Sequence, residues 1–125
     1  LGIADESIRF SENEKPNEKE VEKILSYNLN GEIIHIGDNI AGNKEFKAGD
    51  RIALEINMKS NPRTLTFFIN DREQLNYISR IPSSVRFYAH LSGKSSSFKI
   101  LIFERLSEPS ADHEAGAHSF DWGKE

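Results

Sequence analysis

Arg51-Ile52-Ala53-Leu54-Glu55-Ile56-Asn57-Met58 decides the fold. Ile52, Leu54, Ile56 and Met58 alternate with Arg51, Ala53, Glu55 and Asn57, and a period of two sends the two sets to opposite faces of a β-strand, one buried and one wet. Lys47-Ala48-Gly49-Asp50 stands before this run and Lys59-Ser60-Asn61-Pro62 after it, both made of residues that turns favour. The next run, Thr64 to Asn70, puts Leu65, Phe67 and Ile69 on one face and Thr66 and Phe68 on the other. Bulky side chains on both faces predict a strand at the centre of a sheet. Asn70-Asp71-Arg72 then turns the chain into a short piece around Leu75 to Ile78, closed by Ile81-Pro82, and the two strands form a hairpin.

The same pattern recurs on either side. Val85, Phe87, Ala89 and Leu91 alternate with Arg86, Tyr88 and His90, which predicts the first set inward and the second outward. Ser92 to Ser97 reads as a loop, and Phe98 to Leu106, apolar at both parities, as a strand covered on both faces. Upstream, Ile24 to Leu29 and Glu32 to Ile36 flank Asn30-Gly31, a pair that predicts a hairpin with a two-residue turn. Ser11 to Lys23 is charged and carries Pro16, so it reads as a long exposed loop in which Glu18 to Lys23 can form a helical turn. Ser107 to Glu125 has few apolar residues and is expected to be a flexible tail outside the fold. The domain body is therefore placed at residues 1–106 and the tail at 107–125. Short strands at regular spacing without a sustained helical period define the class as all-β, a two-sheet antiparallel sandwich.

A chain of 125 residues, 37% hydrophobic and 29% charged, is sized and composed for one packed domain. Its net charge of −4 disfavours nucleic acid, whose phosphates call for clustered Lys and Arg. No apolar run approaches a membrane span. The chain has no cysteine, which removes disulfides, thiolate nucleophiles and cysteine-held metals and fits a reducing compartment; the expected location is cytoplasmic. The first residues are not Met but the strand-like Leu1-Gly2-Ile3, so the chain is expected to be a piece of a longer protein.

Phe46-Lys47-Ala48-Gly49-Asp50-Arg51-Ile52-Ala53-Leu54-Glu55-Ile56, followed by Arg63-Thr64-Leu65-Thr66-Phe67-Phe68-Ile69-Asn70-Asp71, resembles the central signature of SPRY domains. In that family a Gly-Asp pair opens an alternating strand, and the following strand ends in a Phe-Phe-x-Asn-Gly type turn. Ile81-Pro82-Ser83-Ser84-Val85-Arg86-Phe87 and the run from Phe98 to Phe103 extend the resemblance, and Leu1 to Asp5 with Ser26-Tyr27 and Gly31 look like earlier strands. Asp71 stands where the family usually has Gly, and a tryptophan-bearing first strand is missing. The resemblance implies a lectin-like, jelly-roll sandwich without its first strand, monomeric as an isolated domain, whose loops at one end bind a partner peptide or protein. Residues taken as partner-binding are Tyr27, Asn28, Asn43, Arg72, Tyr77, Arg86 and Tyr88. The alternative on the same architecture is a carbohydrate-binding module.

Catalysis and cofactors find little to stand on. Glycoside hydrolysis needs two carboxylates facing one cleft, and Glu55 has only Arg51, Ala53 and Asn57 on its own face of its own strand. His113-Glu114-Ala115-Gly116-Ala117-His118 approaches the zinc motif His-Glu-x-x-His, yet its two imidazoles are five residues apart, about 140° round a helix rather than on one face. His35 and His90 each stand alone, Gly-x-Ser-x-Gly is absent, and Gly93-Lys94-Ser95 lacks the upstream glycine of a phosphate loop, Tyr88 standing in that place. Asp38, Asn39 and Asn43 make only the beginning of a calcium set. The expectation is a protein without catalytic residues, metal or cofactor.

Overall fold

Alternation broken by turn residues yields many short strands. The computed structural model describes residues 1–5, 7, 23–36, 38–88, 109–113 and 116–123, and among them ten strands and no helix. They are β1 (Gly2–Asp5), β2 (Ile24–Tyr27), β3 (Ile33–His35), β4 (Asp38–Ile40), β5 (Ile52–Asn57), β6 (Thr64–Ile69), β7 (Arg72–Glu73), β8 (Asn76–Ser79), β9 (Val85–Tyr88) and β10 (His118–Asp121). The first sheet runs β4-β3-β2-β1-β9; the second runs β10-β8-β6-β5, with β7 beside β6. Every pairing is antiparallel except that of β10 with β8, which is parallel.

The two sheets share one core. Ile3, Leu25, Tyr27 and Ile33 come from the first, and Leu65, Phe67, Ile69 and Ile78 from the second, all in one cluster with Ile81. The rings of Tyr27 and Phe67, 4.9 Å apart, meet across the layers. Full burial of a side chain of this size contributes about 1.5–3 kcal/mol; β6 supplies Leu65, Phe67 and Ile69 to the cluster, and Ile52, Leu54 and Ile56 of β5 pack against it partly buried. The protein is all-β and sandwich-like, and β6, bulky on both faces, lies between β5 and β8 as expected.

Several expectations are corrected. Met58 lies beyond β5 and is exposed, because the Asn57 carboxamide takes the amides of Lys59 and Ser60 and curls the chain away from the strand. Asn30-Gly31 is not a two-residue turn. Gly31 donates to the Asn28 carbonyl while Asn28 donates to the Glu32 carbonyl, so Leu29, Asn30 and Gly31 form a three-residue loop. Gly31 has φ +84° there, the left-handed closing position that such loops give to glycine. The two-residue turn is Asn70-Asp71, between Ile69 and its register partner Arg72. Both residues have positive φ, 49° and 68°, as a twist-matched hairpin turn requires.

The largest correction concerns the stretch expected to be a tail outside the fold. His118–Asp121 pairs with Asn76–Ser79, Trp122 packs against the core, and its ring lies 4.6 Å from that of His35. Trp122 anchors this polar segment together with the strand pairing and the hydrogen bond from the Ser79 hydroxyl to Asp121, since an indole buries a large apolar area. Phe87, predicted inward and paired with Ile3, is 44% exposed: β9 is the last strand of its sheet among the described residues. The predicted strand 98–106, the loop 11–23 and residues 89–91 lie outside the described residues.

Candidate functional site

Register brings five segments to one end of the sandwich. The turn after β2, the loop leaving β4, the approach to β5, the Asn70-Asp71 turn and residues 74–76 ahead of β8 all lie there. Hydrogen bonds tie them together. The Tyr27 hydroxyl donates to the Lys44 carbonyl (2.7 Å), and the Phe46 amide to the Leu29 carbonyl (3.0 Å). The Lys44 amide donates to Gln74 Oε1 (2.7 Å). Asn43 bonds the backbone of Asn76 twice, accepting from its amide and donating to its carbonyl, while the Asn76 carboxamide donates to the Ala41 carbonyl (2.8 Å). Buried carboxamides used in this way fix loop positions rather than offer themselves to a ligand.

The Gly49-Asp50 pair belongs to the same end. Gly49 has φ +94°, the conformation for which the sequence selects glycine. Asp50 accepts from the Lys47 amide (2.9 Å) and from the Asn70 carboxamide (3.0 Å), and Asn70 in turn accepts from the Arg51 amide (2.9 Å). The Asn70 bond foremost, then the Lys47 amide, holds the Asp50 carboxyl below its ordinary value. Asp50 and Asn70 are thus bonded to each other across the hairpin. Leu29, 65% exposed, and Leu75, 52% exposed, stand on these fixed loops.

No family model, curated protein or solved structure matches the chain.

The expected partner-binding residues separate into three groups. Tyr27 and Asn43 are buried at the loop end; they are framework, because the Tyr27 ring fills the core and both polar ends of Asn43 are engaged. Burial pushes the Tyr27 hydroxyl up to about 12. Asn28 and the exposed Arg72 do reach the surface of that end. Arg86 and Tyr88 lie on β9. Arg86 is exposed, whereas Tyr88, expected outward into solvent, packs on Ala4 and Ile24 and shares a 2.5 Å hydroxyl bond with Ser26. Its burial pushes it up to about 12 as well.

Tyr77 belongs elsewhere, on the outer face of the second sheet. Its ring stacks on His113 at 3.7 Å and 4°, and His113 Nε2 meets the Thr66 hydroxyl at 2.8 Å. Residues 109–113 cross this face as a strap. Glu55 accepts the amides of Ser110 and Ala111, and Glu73 those of Asp112 and His113, at 2.8–3.1 Å. Glu55 therefore has a second carboxylate on its face after all: Glu55 pairs with Thr66 and Glu73 with Phe68, and Thr66 and Phe68 share a parity on β6. Acids within one strand do not reveal such a pair; it arises across three strands from register. A cavity of about 130 Å³ opens beside the strap, lined by Asn57, Ser60, Thr64 and Ala111 among others.

Among the described residues no three His, Asp or Glu side chains converge as a metal site, and no helix is long and apolar enough to cross a membrane.

Proposed function

We propose that the chain is a non-catalytic protein-binding module of SPRY-like, jelly-roll architecture that takes a partner peptide or protein at the loop end of its sandwich. The observation that carries this reading is the pair Leu29 and Leu75: two large apolar side chains held out to solvent on loops that hydrogen bonds fix in place. Exposed apolar anchors on a rigid frame are what a recognition surface needs, since little conformational freedom remains to be lost on binding. Arg72 and Asn28 add polar groups at the rim. The Gly49-Asp50 to Asn70 block supports the family likeness, and the engagement of Glu55 and Glu73 with four backbone amides supports a role other than proton transfer. For a lectin-like module the Asp38, Asn39 and Asn43 set is weaker than it looks in sequence, because the Asn43 carboxamide is already spent on Asn76.

The test is a screen of peptides and folded proteins against the chain and its Leu29→Asp and Leu75→Asp variants. A saturable binder should lose affinity by about ten-fold or more in either variant, as buried anchor residues do, with unchanged unfolding midpoints. Binding confined to glycans overturns the reading in favour of the lectin.

A further inference from the structure

The strap on the second sheet is held in an unusual way. Four consecutive amides, those of Ser110, Ala111, Asp112 and His113, are taken in pairs by two carboxylates. Only one strap side chain, that of His113, both bonds and stacks on the sheet, through Thr66 and Tyr77. Pro109, Ser110 and Asp112 are exposed. Recognition of this kind reads a run of successive backbone amides turned to one side, with His113 at φ +48°, and one ring, and leaves the intervening side chains unread. The sheet also keeps the 130 Å³ cavity beside Ala111 that the strap does not fill. The strap satisfies the face without exhausting it.

We propose that this outer face is a second peptide-binding site, which residues 109–113 occupy in cis. Its partner is a peptide of small residues whose backbone bends as the strap does, presenting successive amides to Glu55 and Glu73 and a His or aromatic ring to Tyr77. The inference rests on the reading of the chain as a protein-binding module, but it names a different surface from the loop end. Ala111 lines the cavity, so a partner peptide with a larger residue at that position has room to exceed the strap in contact area. The strap then acts as an internal competitor that sets the threshold for binding.

The probe is a fluorescent nonapeptide with the sequence of residues 107–115, Ser-Glu-Pro-Ser-Ala-Asp-His-Glu-Ala. It is titrated into the parent chain and into the full chain carrying Ala111→Pro, which deletes one amide given to Glu55 and leaves the face intact. The variant should bind the peptide about ten-fold more tightly than the parent does, a difference of one decade in Kd. Adding Glu73→Gln to the variant should abolish the gain, and a peptide with proline in place of its central alanine should not bind. A variant that keeps a dispersed amide NMR spectrum yet ignores the peptide overturns the proposal. If the variant does not fold, excess peptide on the parent must shift the amide signals of Thr66, Glu73 and Tyr77; no shift, or shifts confined to Leu29 and Leu75, overturns it equally. A chain that recruits its partner through Leu29 and Leu75 but leaves this face untouched loses only this inference and keeps the loop reading.

Discussion

Gly123 donates its backbone N–H to Nε2 of His35 at 2.8 Å, across 88 residues of sequence. Because Nε2 accepts, the ring proton sits on Nδ1, where it meets the Ile24 carbonyl at 2.7 Å. His35 is buried, so one imidazole in one tautomer joins a central strand of the first sheet to the end of the chain that completes the second.

Trp122→Ala should therefore lower stability by roughly 2 kcal/mol, the scale of truncating a partly buried aromatic side chain. His35→Ala should do the same by stranding the Gly123 amide and the Ile24 carbonyl. Urea midpoints of both variants check this; midpoints equal to that of the parent contradict it.

Alkaline titration gives a second expectation. Tyr27 and Tyr88 are both held up to about 12 by burial, while an unfolded tyrosine ionises near 10. The folded state keeps protons that the unfolded state has lost, so stability is untouched below about pH 10 and falls as pH rises from about 10 toward 12. Absorbance near 295 nm should show these two ionisations late, and Tyr27→Phe or Tyr88→Phe should each remove one of them. Both arriving at the ordinary tyrosine pH would contradict the burial.

In acid the relevant pair is Asp50 and Asn70. The Asp50 carboxyl is held below its ordinary value chiefly by the Asn70 carboxamide, so its contribution is present above the ordinary carboxylate range and is lost as pH falls through the depressed value. Asn70→Ala should bring the carboxyl back toward that ordinary range. Carboxyl-carbon NMR titration of both chains is the measurement, and coincident curves would remove the pairing from the account.

What sequence could reveal was local. β5 and β6 are legible because Ile52, Leu54, Ile56 and Leu65, Phe67, Ile69 each repeat with a period of two, and that period is a property of the strand itself. Asn30-Gly31 was half legible: the hairpin exists, but glycine closes a three-residue loop, and the dipeptide alone does not distinguish the two geometries. Tyr27 and Asn43 look like loop residues ready for a ligand until the fold shows what lies against them. The Glu55 and Glu73 pair depends on the register of three strands, and His118–Asp121 depends on an empty edge beside β8. Non-local pairing of that kind leaves no period to count. The tail's own apolar signal is the pair Phe120 and Trp122, of which Trp122 packs against the core.

The parallel pairing of β10 with β8 also fixes an order of events. The edge of the second sheet stays open until residues 118–121 exist, by which time every other described strand has long been made. Closing it joins positions 42 residues apart, and the clasp on His35 spans 88; contacts so distant along the chain are slow to form. A nascent chain thus carries an unprotected β8 edge from the completion of Ser79 until His118–Asp121 follows it, and it is during that interval, rather than after folding, that this edge is most exposed to mispairing.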